Sequence, residues 1–137
     1  MNVVLYGRPQ AAYTAEELDR LFNALESNGM RCRINGDFAS QVASLTGRTF
    51  APEAVYDERT EVGEGAHVML SYGGDGTFLD CVRLLGGRPV PIAGINSGRL
   101  GFLADVSREH LESALSDIAK GNFTTSPRTL LHVRGDF

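Results

Sequence analysis

A chain of 137 residues is the size of one domain, and 42% hydrophobic residues supply a core without help from disulfides or structural metals. Thirteen Lys and Arg against 17 Asp and Glu leave a net charge of −4. That balance excludes an electrostatic nucleic-acid binder and a cationic membrane-surface helix, and the composition excludes disordered, collagenous and disulfide-scaffold chains.

The first 50 residues read strand, helix, strand, helix. Asn2–Tyr6 is a short apolar run ended by Gly7-Arg8-Pro9, the pattern of a strand buried on both faces. Thr14 and Glu17 form a capping box, and Leu18, Leu21, Phe22 and Leu25 recur behind it at helical spacing. Gly29 stands where a left-handed residue closes a helix. Arg31–Ile34 reads as a second strand, and Ala39–Leu45, closed by Gly47, as a weaker second helix. Residues 48–64 hold Pro52, Gly63 and the acidic side chains Glu53, Asp57, Glu58, Glu61 and Glu64, and read mostly as loop.

Periodicity returns at His67–Tyr72, a strand broken by Gly73-Gly74-Asp75-Gly76. Thr77–Leu85 follows as a helix with Leu79, Val82, Leu84 and Leu85 on its apolar side, ended by Gly86-Gly87. Val90–Ile95 is another buried strand, with Pro91 near its start where a missing N–H is tolerated. Asn96-Ser97-Gly98-Arg99 is a turn leading to Leu100–Leu103. Arg108–Ala119 is an amphipathic helix, capped by Ser107 and stopped at Gly121. Arg128–Arg134 reads as a last strand, after the polar stretch Thr124–Pro127, which has the character of a domain boundary. The alternation predicts an α/β fold, a doubly wound, mostly parallel sheet with helices on both faces.

Cys32 and Cys81 stand far apart, and His67, His110 and His132 are scattered, so neither a disulfide framework nor metal-ligand spacing is present. Two buried free thiols suit a reducing compartment. Met1–Gly7 is too short for a secretory signal, and no apolar run approaches the length of a membrane span. A cytoplasmic protein is expected.

Glycine is the outlier: 16 residues, about 12% against a usual ~7%. Half of them, Gly73, Gly74, Gly76, Gly86, Gly87, Gly94, Gly98 and Gly101, fall between positions 73 and 101. The unit strand–Gly73-Gly74-Asp75-Gly76-Thr77–helix offers backbone N–H groups and the positive end of a helix dipole, both of which favour phosphate. It has neither the Lys of a Walker A loop nor the dinucleotide glycine spacing. A carboxylate beside phosphates is repelled by them, so Asp75 has to ligate a metal, take a proton or contact ribose hydroxyls. Asp-Gly as an ordinary turn pair is the alternative. The flanking glycines between a strand and a helix favour a functional role.

Gly73–Thr77 resembles the GGDGT signature shared by NAD kinases, by diacylglycerol and sphingosine kinases and, more loosely, by phosphofructokinases. That likeness implies phosphoryl transfer to a hydroxyl without choosing the acceptor. Gly94-Ile95-Asn96-Ser97-Gly98-Arg99-Leu100-Gly101-Phe102-Leu103 is similar to the G-x-N-x-G-x-L-G-F-L stretch of NAD kinases, whereas lipid kinases carry a Gly-Thr-Gly-Asn-Asp type of segment there. The resemblance covers roughly residues 1–133. It implies transfer from ATP or polyphosphate to the 2′-hydroxyl of the adenosine ribose of NAD, giving NADP. It also implies a divalent metal, Mg²⁺, accompanying ATP, no tightly bound organic cofactor, and a homo-dimer or homo-tetramer.

By the same resemblance Asp75 is the base that accepts the 2′-hydroxyl proton. Gly76 brings its backbone to the nucleotide, Leu79 and Phe102 wall the adenosine, and Asn96 lies beside them. Gly73, Gly74, Gly76 and Thr77 form the phosphate loop. Arg99 either partners a phosphate or is a solvated loop residue. Many relatives carry a basic residue five positions after the motif aspartate. Here that position is Asp80, read as helix charge or a solvated side chain. Residues 1–126 are expected to form the nucleotide-binding α/β domain and residues 127–137 to begin a β-rich second domain, the rest of which is absent. The chain then represents the N-terminal lobe of an NAD kinase, cut from a longer protein, folding by itself but turning over little NAD. Another GGDGT kinase, acting on a lipid or a sugar phosphate, and a non-catalytic nucleotide-binding module are the competing readings.

Overall fold

The computed structural model describes residues 1–8, 12–57, 62–97 and 106–128. In chain order these form β1 (Asn2–Gly7), α1 (Ala15–Ser27), β2 (Arg31–Asn35), α2 (Gly36–Thr46), β3 (Val55–Tyr56), β4 (Val68–Gly73), α3 (Asp75–Leu85), β5 (Ile92–Asn96) and α4 (Leu111–Ala119). The five strands make one sheet in the order β3-β2-β1-β4-β5, and every pairing is parallel.

A parallel sheet covered on both faces needs continuous apolar strands, and β4 is buried along its whole length. Val3, Leu5, Ile34, Val68, Leu70, Tyr72 and Ile95 pack in one core with the buried faces of α1, α2 and α4. Val4, Met69 and Tyr56 pack in another with Cys81 and Leu85 of α3 and with Val62. The fold is therefore doubly wound, as the sequence predicts, but unevenly: three helices serve one core and one helix serves the other.

The α1 reading holds in detail. The Glu17 N–H donates to Thr14 Oγ1 at 3.2 Å, the Thr14 N–H donates to Glu17 Oε2 at 3.4 Å, and the four predicted apolar residues are buried. Arg20 ties this helix to α4 through Glu112, with Nη2 donating to Oε2 at 2.6 Å.

Five readings need correction. α2 starts at Gly36, ahead of Ala39; Gly36 and Asp37 carry no apolar side chain to mark the start, and the buried face begins at Phe38. Val55–Tyr56, inside the stretch read as loop, is a short strand, held by pairing with β2 and by the Tyr56 hydroxyl donating to the Leu5 carbonyl at 2.8 Å. α3 starts at Asp75, two residues ahead of Thr77. Its contact stripe is Thr77, Cys81 and Leu85, which turns Leu79 outward at 57% exposure. The Ser107 hydroxyl sits 2.6 Å from His110 Nδ1 and caps no backbone group; residues 108–110 are a 3₁₀ turn, and α4 proper begins at Leu111.

Cys32 and Cys81 are free thiols, and burial pushes both up to about 12. Among the described residues no helix is long and apolar enough to cross a membrane. The expected run Leu100–Leu103 and the body of the expected strand at 128–134 lie outside the described residues.

Candidate functional site

The strand order places the site. From β1 the chain winds toward β2 and β3, and from β4 it winds toward β5, so the direction reverses between β1 and β4. Ligands of open α/β sheets bind outside the strand carboxyl ends at such a reversal. Register brings Gly7 beside Tyr72 and Gly73 beside Asn96. Three strand ends thus converge: Gly7-Arg8, Gly73-Gly74-Asp75 and Asn96-Ser97.

Two glycines of the central turn, Gly73 and Gly76, leave room for a neighbouring side chain. A Cβ on Gly73 would stand 2.9 Å from Thr77 Cβ and overlap Thr77 Oγ1, so only glycine lets the strand end pass over this buried threonine. A Cβ on Gly76 would stand 2.9 Å from Arg8 Nη1 and 3.1 Å from Nη2. At Gly74 the added atom would meet nothing within 4 Å; the turn faces open space there. Gly74 is the N-cap of α3 and, as glycine, makes no side-chain cap hydrogen bond. Asp75, the first helical residue, adds a carboxylate to the first turn, and the Phe78 N–H makes its helical bond to the Gly74 carbonyl at 3.0 Å.

On the β5 side Asn96 is 1% exposed, with its N–H on the Val106 carbonyl at 2.8 Å. The Ser97 N–H reaches back to the Gly73 carbonyl at 3.3 Å, stitching the second motif to the first. The Ser97 carbonyl accepts from Arg108 Nη2, while Arg108 Nη1 pairs with Glu17 at 2.8 Å.

The β1 side holds residues that the sequence reading did not single out. Arg8 Nε donates to Asp80 Oδ2 at 2.7 Å, and its Nη2 donates to the Gly76 carbonyl at 3.2 Å. The Tyr6 hydroxyl donates to the same Asp80 oxygen at 3.0 Å, and Arg83 Nη2 lies 3.7 Å from the other. The Arg8 hydrogen bond, opposed by some desolvation and helped by Tyr6, holds the Asp80 carboxyl below its ordinary range. Burial first, and the Asp80 hydrogen bond second, push the Tyr6 phenol up to about 12, so it is a fixed donor. Asp80 is therefore a half-enclosed anchor, its side chain 16% exposed, rather than helix charge or a solvated carboxylate. Arg8 and Asp80 are 72 positions apart, a pairing no local pattern announces. The available signal was Arg8 standing directly after a strand end.

Of the expected site residues, the structure brings Gly73, Gly74, Asp75, Gly76, Thr77 and Asn96 together at the adjoining carboxyl ends of β4 and β5. Leu79 lies one turn beyond Asp75 with its side chain open. Arg99 and Phe102 lie outside the described residues. No group of three or more His, Cys, Asp or Glu side chains that could hold a metal occurs among the described residues. A hollow of about 180 Å³ lined by Tyr6, Asn35, Asp37, Tyr56, Asp57 and Leu84 adjoins the Asp80 anchor. A larger one of about 470 Å³, between α1 and Glu112 of α4, contains the Arg20–Glu112 pair and none of these groups.

The sequence profile of the ATP-NAD kinase N-terminal domain matches residues 5–123. A protein of Bacteroides fragilis named NAD kinase is 32% identical over 136 residues, covering 99% of this chain and 46% of its own length. An NAD kinase of an Azoarcus species is 35% identical over 130 residues, covering 95% and 42%. The chain thus spans under half the length of these curated relatives. Among solved structures, yeast NADH kinase complexed with NADH matches with a TM-score of 0.69 at 20% identity, over 88% of this chain and 38% of that one. That is a likeness of fold.

Proposed function

This chain belongs to the ATP-NAD kinase family, and from that premise we propose that it is the nucleotide-binding lobe of an enzyme that phosphorylates the 2′-hydroxyl of the adenosine ribose of NAD to give NADP, with ATP or polyphosphate as donor. The observation that carries the reading is Asp75 in the first turn of α3, directly after a glycine N-cap, at the reversal point of the sheet.

In this mechanism Asp75 receives the proton of the 2′-hydroxyl. The freed oxygen attacks the terminal phosphorus of the donor, a new O–P bond forms, and the bridging P–O bond breaks to release ADP or shortened polyphosphate. General-base help of this kind contributes about 10²–10⁴ in rate, with the remainder from positioning and charge neutralisation. The N–H groups at the start of α3 and its dipole supply part of that neutralisation. Magnesium enters with the donor as MgATP. By the family resemblance Leu79 and Phe102 wall the acceptor's adenosine, with Asn96 beside them. We place the protein in the cytoplasm as a homo-dimer or homo-tetramer.

The test is NADP formation by the full-length protein from NAD with MgATP and, separately, with polyphosphate. Phosphorylation of diacylglycerol or fructose phosphate without NADP formation would replace this reading with that of another GGDGT kinase. Nucleotide binding with no transfer to any acceptor would make it a binding module.

A further inference from the structure

Arg8 is placed with more care than an exposed loop arginine requires. Its guanidinium is held edge-on by Asp80 and by the Gly76 carbonyl, and glycine at position 76 leaves the space it occupies. Asp80 is itself fixed by Tyr6. Arg8 follows the end of β1 and lies against the turn that carries Asp75, donating to the Gly76 carbonyl. A guanidinium is a planar fork, able to bind an anchor through one edge and a phosphate oxygen through another. The Arg8 guanidinium is oriented by Asp80, which takes its Nε–H at 2.7 Å.

We propose that Arg8 is a substrate-binding residue that contacts the phosphate chain of a nucleotide in this crevice, and that Asp80 and Tyr6 are positioning residues that hold it there. The proposal rests on the kinase reading for the identity of the nucleotide. The phosphate chain belongs either to the donor or to the pyrophosphate of NAD, and the two sources are separated by experiment.

Arg8→Ala, Arg8→Lys and Asp80→Asn are made in the full-length protein. Binding of ATP, NAD and inorganic tripolyphosphate is measured by calorimetry, and kcat and both KM values by NADP formation. Arg8→Ala removes a charge-assisted hydrogen bond to phosphate and weakens binding of that ligand about ten- to hundredfold. Lysine restores only part, since one ammonium cannot serve anchor and phosphate in the same geometry. Asp80→Asn weakens the same ligand several-fold although it touches none, and the effect of both exchanges at Arg8 falls on KM more than on kcat. A rise in KM for ATP alone assigns the donor chain, and a rise for NAD alone assigns the acceptor. Arg8→Ala and Asp80→Asn binding all three probes as tightly as wild type would overturn the proposal, even with a lowered Tm, and reduce the pair to a structural tie. A wild-type protein that forms no NADP, yet binds ATP less tightly on Arg8→Ala, would remove the kinase reading and leave Arg8 in place.

Discussion

Two helices start at the same end of this sheet, and they start differently. The N-terminus of α1 is closed by Thr14 and Glu17, each satisfying the other's backbone. The N-terminus of α3, one strand away, has glycine at its cap, a residue with no side chain to bond the first turn. The first is finished within the chain. The second is not closed by its own cap residue, and near it stand a carboxylate (Asp75), a buried amide (Asn96) and an anchored guanidinium (Arg8). A cap is a local stability device, worth about 1 kcal/mol; leaving one off where the backbone meets a crevice is how a helix end becomes a binding surface.

That contrast can be tested from its strongest consequence downward. Asp75→Asn should reduce kcat for NADP formation by about 10²–10⁴ while leaving Tm and nucleotide affinity near wild type. A near-normal kcat would take the base role from Asp75. Gly73→Ala should lower stability by about 1–3 kcal/mol in a denaturant titration, because its methyl group overlaps Thr77 and the turn has to shift. It should also weaken nucleotide binding. Thr14→Ala should cost about 1 kcal/mol and lower Tm by a few degrees, with no change in either KM. A Thr14→Ala variant with impaired nucleotide affinity would mean that the two helix ends are not independent.

The smallest effect is in pH. The Asp80 carboxyl is held below its ordinary value in the folded state, so the stability it contributes is present above about pH 4, where the unfolded carboxylate is charged, and fades as pH falls through the lowered value. Asp80→Asn should therefore flatten the acid limb of the stability profile and leave the neutral region comparatively unchanged in slope. An identical acid limb would show that the Arg8–Asp80 pair is too well solvated to matter to folding.

The elements were legible where one local signal sufficed. The capping box, the apolar stripe of α1, the left-handed glycines at 29 and 47 and the run into Gly73 are all written within a few residues. The turn around Asp75 was legible for the same reason. What the sequence hid is what depends on rotation or distance. Leu79 fits an apolar helix face by spacing, but the contact stripe is set by which side of α3 the sheet meets, and that side is Thr77, Cys81 and Leu85. Val55–Tyr56 is too short to announce itself and exists because β2 offers an edge. Arg8 and Asp80 each look like surface charge until strand order makes them neighbours.

The central pairing also sets the order in which binding can appear during folding. Asn2 and His67, which meet at the base of β1 and β4, are 65 residues apart, whereas β1, α1 and β2 form a contiguous unit. Closing the longer loop costs more chain entropy before any contact rewards it. In a stopped-flow refolding experiment, helical circular dichroism should therefore rise ahead of the capacity to bind nucleotide. The strand ends around Asp75 come together only when that long-range pairing has formed.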